Sequence, residues 1–179
     1  TGGNHADLTD DYASVPAEMK KVAAHFGKPY LRKLTKEDIL KNIAALREEC
    51  GDRAILRALH FFDENVRVAA QKKALKEGDL EGFFEGVKAS GRSSFCYLQN
   101  VYTTKNVAEQ GLSLALAVAE EFLADKTAAW RVHGGGFAGT VQAFVPTADA
   151  EDFRAYMDGV FGDGACIVLR IRGEGAIRL

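Results

Sequence analysis

The sequence predicts an α+β fold in which an antiparallel sheet packs on helices, with a helical insertion before the sheet. Three observations predict this fold. Apolar residues repeat at helical spacing through most of residues 16–124, and short alternating segments appear in the tail, 104–179. The tail also places four glycines within six residues, between two of the alternating segments. We expect residues 16–179 to form one domain after an irregular or strand-like N-terminal segment, 1–15.

Start and stop signals predict the helices. Pro16 suits the first turn of the first helix, and Thr35 with Asp38 forms a capping box for the second. Gly78 is a natural end for the longest helix, and Asp79 is a natural cap for the next one. The predicted helices cover residues 16–26, 35–50, 52–77, a stretch beginning at 79, 104–124 and 147–161.

Alternation with a period of two predicts the strands. Val141, Ala143 and Val145 alternate with Thr140 and Gln142, which is typical of a strand with one buried face. The predicted strands cover residues 128–133, 140–145, 167–171 and a last short segment that ends at 179.

The glycine cluster between the first two strands is the most specific feature of the chain. Gly134, Gly136 and Gly139 match the spacing of a dinucleotide-binding fingerprint, but that fingerprint opens a helix and this one opens a strand. Consecutive glycines indicate a backbone that approaches a ligand closely, often a phosphate. The alternative is a β-hairpin with a long glycine loop and no ligand.

Composition excludes several classes of function. The 179 residues carry a net charge of −2 with no basic stripe, which argues against a nucleic-acid partner. The apolar run 112–119 is too short to span a membrane, and no signal peptide is visible. Cys50, Cys96 and Cys166 are far apart and predict buried thiols in a reducing compartment, the cytoplasm. A chain that begins with Thr1 is expected to be part of a longer protein.

The histidines give few candidates for chemistry. His25 and His60 lie on predicted helices and are interpreted as packing or surface residues. A metal role for His5 would need partners that the sequence does not supply, so we predict no metal site. His133 directly precedes the glycines and could contact a phosphate or substrate hydroxyl, or cap the loop structurally. No serine, cysteine or histidine pattern suggests a nucleophile.

An acidic cluster lies near the start of the chain and consists of Asp7, Asp10, Asp11 and Tyr12. It is either a solvated turn or a polyol site, in which carboxylates accept hydrogen bonds from hydroxyls and the tyrosine adds a flat face. Asp63 and Glu64 lie within the longest predicted helix and are interpreted as solvated or paired along that helix.

Four segments together resemble the C-terminal part of galactokinases, which are GHMP small-molecule kinases. Residues 131–140, Arg-Val-His-Gly-Gly-Gly-Phe-Ala-Gly-Thr, resemble that family's third motif. Residues 62–68 resemble its Glu-Asn helix, and 78–80 its later Gly-Asp-Leu. Residues 8–12, Leu-Thr-Asp-Asp-Tyr, resemble the segment whose tyrosine borders the sugar.

The resemblance implies a kinase that uses ATP and Mg²⁺ to phosphorylate the anomeric hydroxyl of a sugar, galactose in the family. It implies the ferredoxin-like C-terminal domain of GHMP kinases, a sugar contact from Tyr12, and no catalytic residue or metal ligand within this chain. The glycine loop would form the wall beside the transferred phosphate, and its residues are His133, Gly134, Gly135, Gly136, Phe137, Ala138 and Gly139.

The chain departs from the family at several points. His133 and Ala138 replace the usual Thr and Gly, and 13–16 replaces the arginines that follow the tyrosine. The family's Gly-Glu-His-x-Asp signature and its serine-rich ATP loop are not in this sequence. The resemblance therefore implies an N-terminal lobe as partner, to which 1–15 partly belongs, and no activity for this chain alone. Two alternatives are a non-catalytic sugar and nucleotide sensor and a plain interaction domain.

Overall fold

A computed structural model describes residues 1–2, 8–171 and 173–175 of the chain. Seven α-helices and one antiparallel pair of strands form within these residues. The helices are α1 (Thr9–His25), α2 (Lys36–Lys41), α3 (Ile43–Cys50), α4 (Asp52–Glu77), α5 (Leu80–Ser93), α6 (Gly111–Leu123) and α7 (Ala150–Phe161). The strands are β1 (Ala129–Val132) and β2 (Val141–Phe144). The α+β class is as predicted.

The first four helices share one apolar core. Its buried members come from every element before the middle of α4 and are Val22, Ala23, Leu31, Ile39, Leu46, Ala54, Ile55 and Ala58. The capping box at Thr35 and Asp38 is confirmed. Gly78 ends α4 in the left-handed region at φ 73°, and the Asp79 side chain accepts from the Gly82 amide, as predicted.

The two strands lie between layers of helices. β1 pairs with β2 from Ala129↔Phe144 to Val132↔Val141. The face that includes Trp130 and Ala143 packs on the core of α6 and α7, and the opposite face packs on α5, where Phe144 contacts Phe83 and Phe84. A Cβ on Gly91 of α5 would lie 2.8 Å from the Arg131 Cβ, so this glycine lets α5 approach the sheet closely.

A buried arginine ties α1 to α4. Arg57 is 1% exposed, and its guanidinium donates to Glu18 at 2.9 Å, to the Ser14 hydroxyl at 2.9 Å and to the Leu98 carbonyl at 3.0 Å. Arg53 donates three further hydrogen bonds to Glu18. Burial lowers the pKa of Arg57, and the charge of Glu18 opposes that shift.

The first helix begins earlier than predicted. Pro16 is predicted in the first turn, but α1 starts at Thr9 and Pro16 lies inside it. The irregular N-terminal segment therefore cannot extend to residue 15. Asp10 and Asp11 occupy the first turn, where carboxylates interact favourably with the helix dipole. A proline inside a helix removes one helical hydrogen bond and crowds the carbonyl four residues before it, yet α1 continues through Pro16 and packs along α4.

Two other predicted helices differ in their bounds. The helix predicted over 35–50 is broken at Asn42, whose side chain donates to the Asp38 carbonyl and competes with the helical hydrogen bonds. The helix predicted over 104–124 begins only at Gly111. The residues before it form turns, one of them closed by the Thr103 side chain accepting from the Lys105 amide.

The strand predicted over 167–171 is wrong. These residues have no regular structure, and Ile167, Leu169 and Ile171 are 73%, 83% and 87% exposed. A segment of alternating residues forms a strand only where a neighbouring strand pairs with it through hydrogen bonds. The described residues contain no third strand that could do so. The last predicted strand falls largely on 176–179, outside the described residues. Cys96 is exposed, and Cys50 and Cys166 are half-buried, which corrects the prediction of three buried thiols.

Candidate functional site

The glycine loop joins β1 to β2 at one end of the sheet. The amide of His133 donates to the Thr140 carbonyl at 3.0 Å and closes the hairpin, which leaves residues 134–139 as the loop. Gly134, Gly136 and Gly139 have φ values of 62°, 75° and 97°, and Phe137 adopts 57° although it is not glycine. The loop therefore needs glycines for its backbone shape.

The carbonyl oxygens of the loop are held by donors from distant parts of the chain. The Tyr12 hydroxyl donates to the Gly136 carbonyl at 2.6 Å, and the Asn100 side-chain amide donates to the Gly135 carbonyl at 3.1 Å. The Thr1 hydroxyl donates to the Gly139 carbonyl at 3.1 Å. These contacts turn three negative ends of the loop's peptide dipoles toward the protein.

The amides of the loop are paired much less. The Phe137 amide donates to the Asn100 carbonyl at 2.5 Å and the Ala138 amide to the Gly136 carbonyl at 2.7 Å. Within the residues that the structure describes, the amides of Gly134, Gly135, Gly136 and Gly139 donate no hydrogen bond. Gly134 and Gly135 are exposed, so their unpaired amides are available to donate to a ligand or to water. Successive unpaired amides of this kind form anion-binding sites in proteins.

Tyr12 lies directly against the loop. Its ring meets the Phe137 ring edge to face, with centroids 5.3 Å apart. A Cβ on Gly135 would lie 2.9 Å from Cε1 of Tyr12, so only glycine fits beside the ring without a shift. The structure thus brings Tyr12 and the glycine loop together, although Tyr12 and Gly136 are 124 residues apart in the sequence.

The other predicted residues are placed differently. The side chain of His133 is exposed and contacts Gln142 across the hairpin, with Nδ1 and Oε1 3.1 Å apart. Asp11 accepts from the Thr103 hydroxyl at 3.0 Å, and Asp10 pairs with Lys105 at 3.0 Å. These two carboxylates tie α1 to the turns before α6 rather than lining the loop. His5 and Asp7 lie outside the described residues.

A polar cluster supports the opposite face of the hairpin. Arg131 of β1 donates to the hydroxyls of Ser90 and Ser94 on the α5 side, and Ser90 donates to Glu64 of α4. Burial alone would raise the pKa of Glu64, but hydrogen bonds from Ser90 and Arg67 and the charge of Arg67 lower it. The prediction that Glu64 is merely solvated or helix-paired was incomplete, since it also joins α4 to the strand that leads into the loop.

His60 and His25 have the structural roles predicted for them. His60 is 7% exposed and its Nδ1 lies 3.0 Å from the Ser93 hydroxyl, while burial lowers its pKa. His25 pairs with Glu49 at the surface. Lys36 likewise pairs with Asp63 at 2.6 Å.

Asn100 is the site residue that sequence reasoning missed. It touches the loop through both its carbonyl and its side chain, yet it lies 34 residues before Gly134, and no motif marks it. An asparagine between two helices does not indicate a functional site, because asparagine is common in turns.

The described part of the chain contains neither a metal-binding cluster nor a membrane-spanning helix. Among residues 1–2, 8–171 and 173–175, no group of three or more His, Cys, Asp or Glu side chains could hold a metal ion. In the same part of the chain, none of the helices has the length and hydropathy needed to cross a bilayer.

The fold and the loop define an α+β protein that presents unpaired glycine amides between two antiparallel strands. Its relatives are galactokinases. The galactokinase of Lacticaseibacillus casei strain BL23 is 34% identical over 131 residues, which are 70% of this chain and 31% of that protein. The galactokinase of Thermotoga petrophila is 35% identical over 77 residues, 43% of this chain and 20% of that protein. The predicted resemblance to galactokinases is confirmed.

The fold comparison agrees with the sequence comparison. The crystal structure of Lactococcus lactis galactokinase complexed with galactose superposes with a TM-score of 0.61 and 24% identity, over 86% of this chain and 38% of that one. No protein-family model matches the chain. The chain spans about a third of the length of the curated galactokinase from L. casei, 31%.

Proposed function

We propose that this chain is the C-terminal part of a cytoplasmic galactokinase-like sugar 1-kinase, which transfers the γ-phosphoryl group of ATP to galactose. The observation that carries the proposal is the loop 134–139. Three of its carbonyls are bonded to the protein, while four of its amides are unpaired among the described residues. Its relatives are galactokinases, and the L. lactis protein of similar fold was crystallised with galactose. Free thiols at all three cysteines are consistent with a reducing compartment.

The chemistry follows from the loop's charge. A transferred phosphoryl group spreads negative charge over its oxygens, and fixed amide donors stabilise such charge without reorganising. In this proposal the loop residues from His133 to Gly139 line the phosphate side, and the ferredoxin-like sheet of GHMP kinases supports them. Mg²⁺ would neutralise phosphate charge when bound. By the family resemblance, its ligands and the catalytic base would lie in an N-terminal lobe.

The proposal is tested with the complete reading frame that encodes this sequence. Purified protein is incubated with ATP, Mg²⁺ and a panel of hexoses, and ADP release and sugar 1-phosphate are measured. Galactose-dependent turnover supports the proposal, and turnover with another hexose corrects only the sugar. Saturable binding of ATP and galactose without turnover would support the sensor alternative. If neither ligand binds, the plain interaction domain is the alternative that remains.

Tyr12→Phe provides a residue-level test of the sugar side. The hydroxyl is proposed to contact the sugar while it also supports the Gly136 carbonyl. Removing one such hydrogen bond costs about 0.5–1.5 kcal/mol, so we expect the KM for sugar to rise roughly 2- to 10-fold. Tyr97→Phe is the matched control, because Tyr97 is 42% exposed in the turn after α5. Unchanged sugar KM in Tyr12→Phe would remove the assignment.

A further inference from the structure

Asn100 is buried at the point where the chain passes beneath the glycine loop. It is 2% exposed, and it follows Gln99, which adopts the left-handed conformation at φ 56° and ψ 53°. This conformation is uncommon for a residue other than glycine. It ends the helical turn Ser94–Leu98 and directs the next residue toward the hairpin.

Asn100 contacts three consecutive residues of the loop. Its carbonyl accepts from the Phe137 amide at 2.5 Å, and its side chain donates to the Gly135 carbonyl at 3.1 Å. A Cβ on Gly136 would lie 2.0 Å from the Asn100 carbonyl oxygen. Gly136 and Phe137 are the two adjacent residues that the loop holds at positive φ, 75° and 57°.

The side-chain amide group of Asn100 carries an energetic cost. Its Oδ1 is buried and has no hydrogen-bond partner among the described residues. A buried unpaired acceptor costs about 1–3 kcal/mol, which an apolar residue of similar size would avoid. The useful half of the side chain is therefore the donor that holds the Gly135 carbonyl.

We propose that Asn100 is a positioning residue for the glycine loop. It fastens the peptide groups on both sides of Gly136, so that Phe137 stays in the left-handed conformation and the unpaired glycine amides keep one orientation. The positioning role is inferred from the contacts between Asn100 and the loop. The effect of Asn100 on phosphoryl transfer rests on the proposed function.

Two variants separate the donor from the volume of the side chain. Asn100→Asp keeps the shape and replaces the donor by a carboxylate oxygen facing the Gly135 carbonyl, and Asn100→Ala removes the side chain. The backbone acceptor for Phe137 remains in both variants. Asn106→Asp makes the same chemical change at an exposed turn position and is the matched control.

The first measurement is amide hydrogen exchange of the complete protein without ligands. We expect exchange at Phe137 and Ala138 to accelerate at least about 10-fold in both Asn100 variants, because loosening the loop breaks the bonds that protect these amides. Amides in Ile43–Cys50, on the far helix α3, should exchange as in the wild type. Wild-type exchange at Phe137, or equal acceleration in α3, would overturn the positioning role.

The second measurement is steady-state kinetics. A displaced loop should lower kcat at least about 10-fold and raise the KM for ATP, while the KM for sugar changes less than about 2-fold. Simple destabilisation would lower the active fraction without changing either KM, and that result counts against the inference. If the wild-type protein has no kinase activity, the proposed function fails and hydrogen exchange alone decides the role of Asn100.

Discussion

Gly136→Ala is expected to reduce phosphoryl transfer at least about 100-fold, a loss of roughly 2.7 kcal/mol of transition-state stabilisation. Two costs combine at this residue. Its φ of 75° lies where an alanine is strained, and the added Cβ would lie 2.0 Å from the carbonyl oxygen of Asn100. That oxygen belongs to a buried backbone and cannot move aside like the end of a flexible side chain. The loop must therefore shift, and its unpaired amides shift with it.

Gly134→Ala is the matched control for this prediction. Gly134 has a similar φ of 62°, but an added Cβ meets nothing within 4 Å. This variant carries the backbone strain alone, about 1–2 kcal/mol by the left-handed penalty for an L-residue. We expect kcat/KM to fall less than about 10-fold. Kinetics and thermal unfolding of both variants are measured in the complete protein. They separate the effect of backbone strain, present in both variants, from the displacement of the loop, expected only in Gly136→Ala. Equal losses of kcat/KM in the two variants would refute the argument.

The hairpin was predictable because its signals are local. Alternating residues give a strand, a glycine cluster gives a loop, and the pairing of β1 with β2 needs only the residues between them. The capping box at Thr35 and the end of α4 at Gly78 are local in the same sense, and both were confirmed. Family resemblance drew attention to Tyr12 as a sugar contact, and the structure places it beside the loop, which no spacing in the sequence indicates.

The errors share a physical cause, which is contact between residues distant in sequence. Pro16 is tolerated inside α1 because α1 packs along α4. Residues 167–171 have strand-like alternation, but a strand exists only with a partner. Asn100 matters through three loop residues that lie at least 35 positions away. Periodicity in the sequence does not carry information about such contacts.

The buried Arg57 makes Glu18 a residue whose loss should strongly destabilise the fold. Glu18 is the carboxylate that balances Arg57, at 2.9 Å, and it also accepts from Arg53 at 2.5 Å. Because Arg57 is 1% exposed, water cannot replace the lost partner. Breaking a buried pair by removing one partner typically costs about 3–5 kcal/mol, so we expect Glu18→Ala to lower the free energy of unfolding by about that amount.

Two comparisons make this expectation specific. Glu77→Ala removes one carboxylate from an exposed pair with Lys73, 3.9 Å apart, and should leave the unfolding midpoint in urea almost unchanged. Glu18→Leu should be nearly as unstable as Glu18→Ala, whereas Glu18→Leu combined with Arg57→Met should recover much of the loss. The double variant removes both charges together, and an apolar pair in their place carries no unpaired ion. A double variant no more stable than Glu18→Leu would mean that the hydrogen bonds of Arg57 to Ser14 and Leu98, rather than its charge balance, hold α1 on α4.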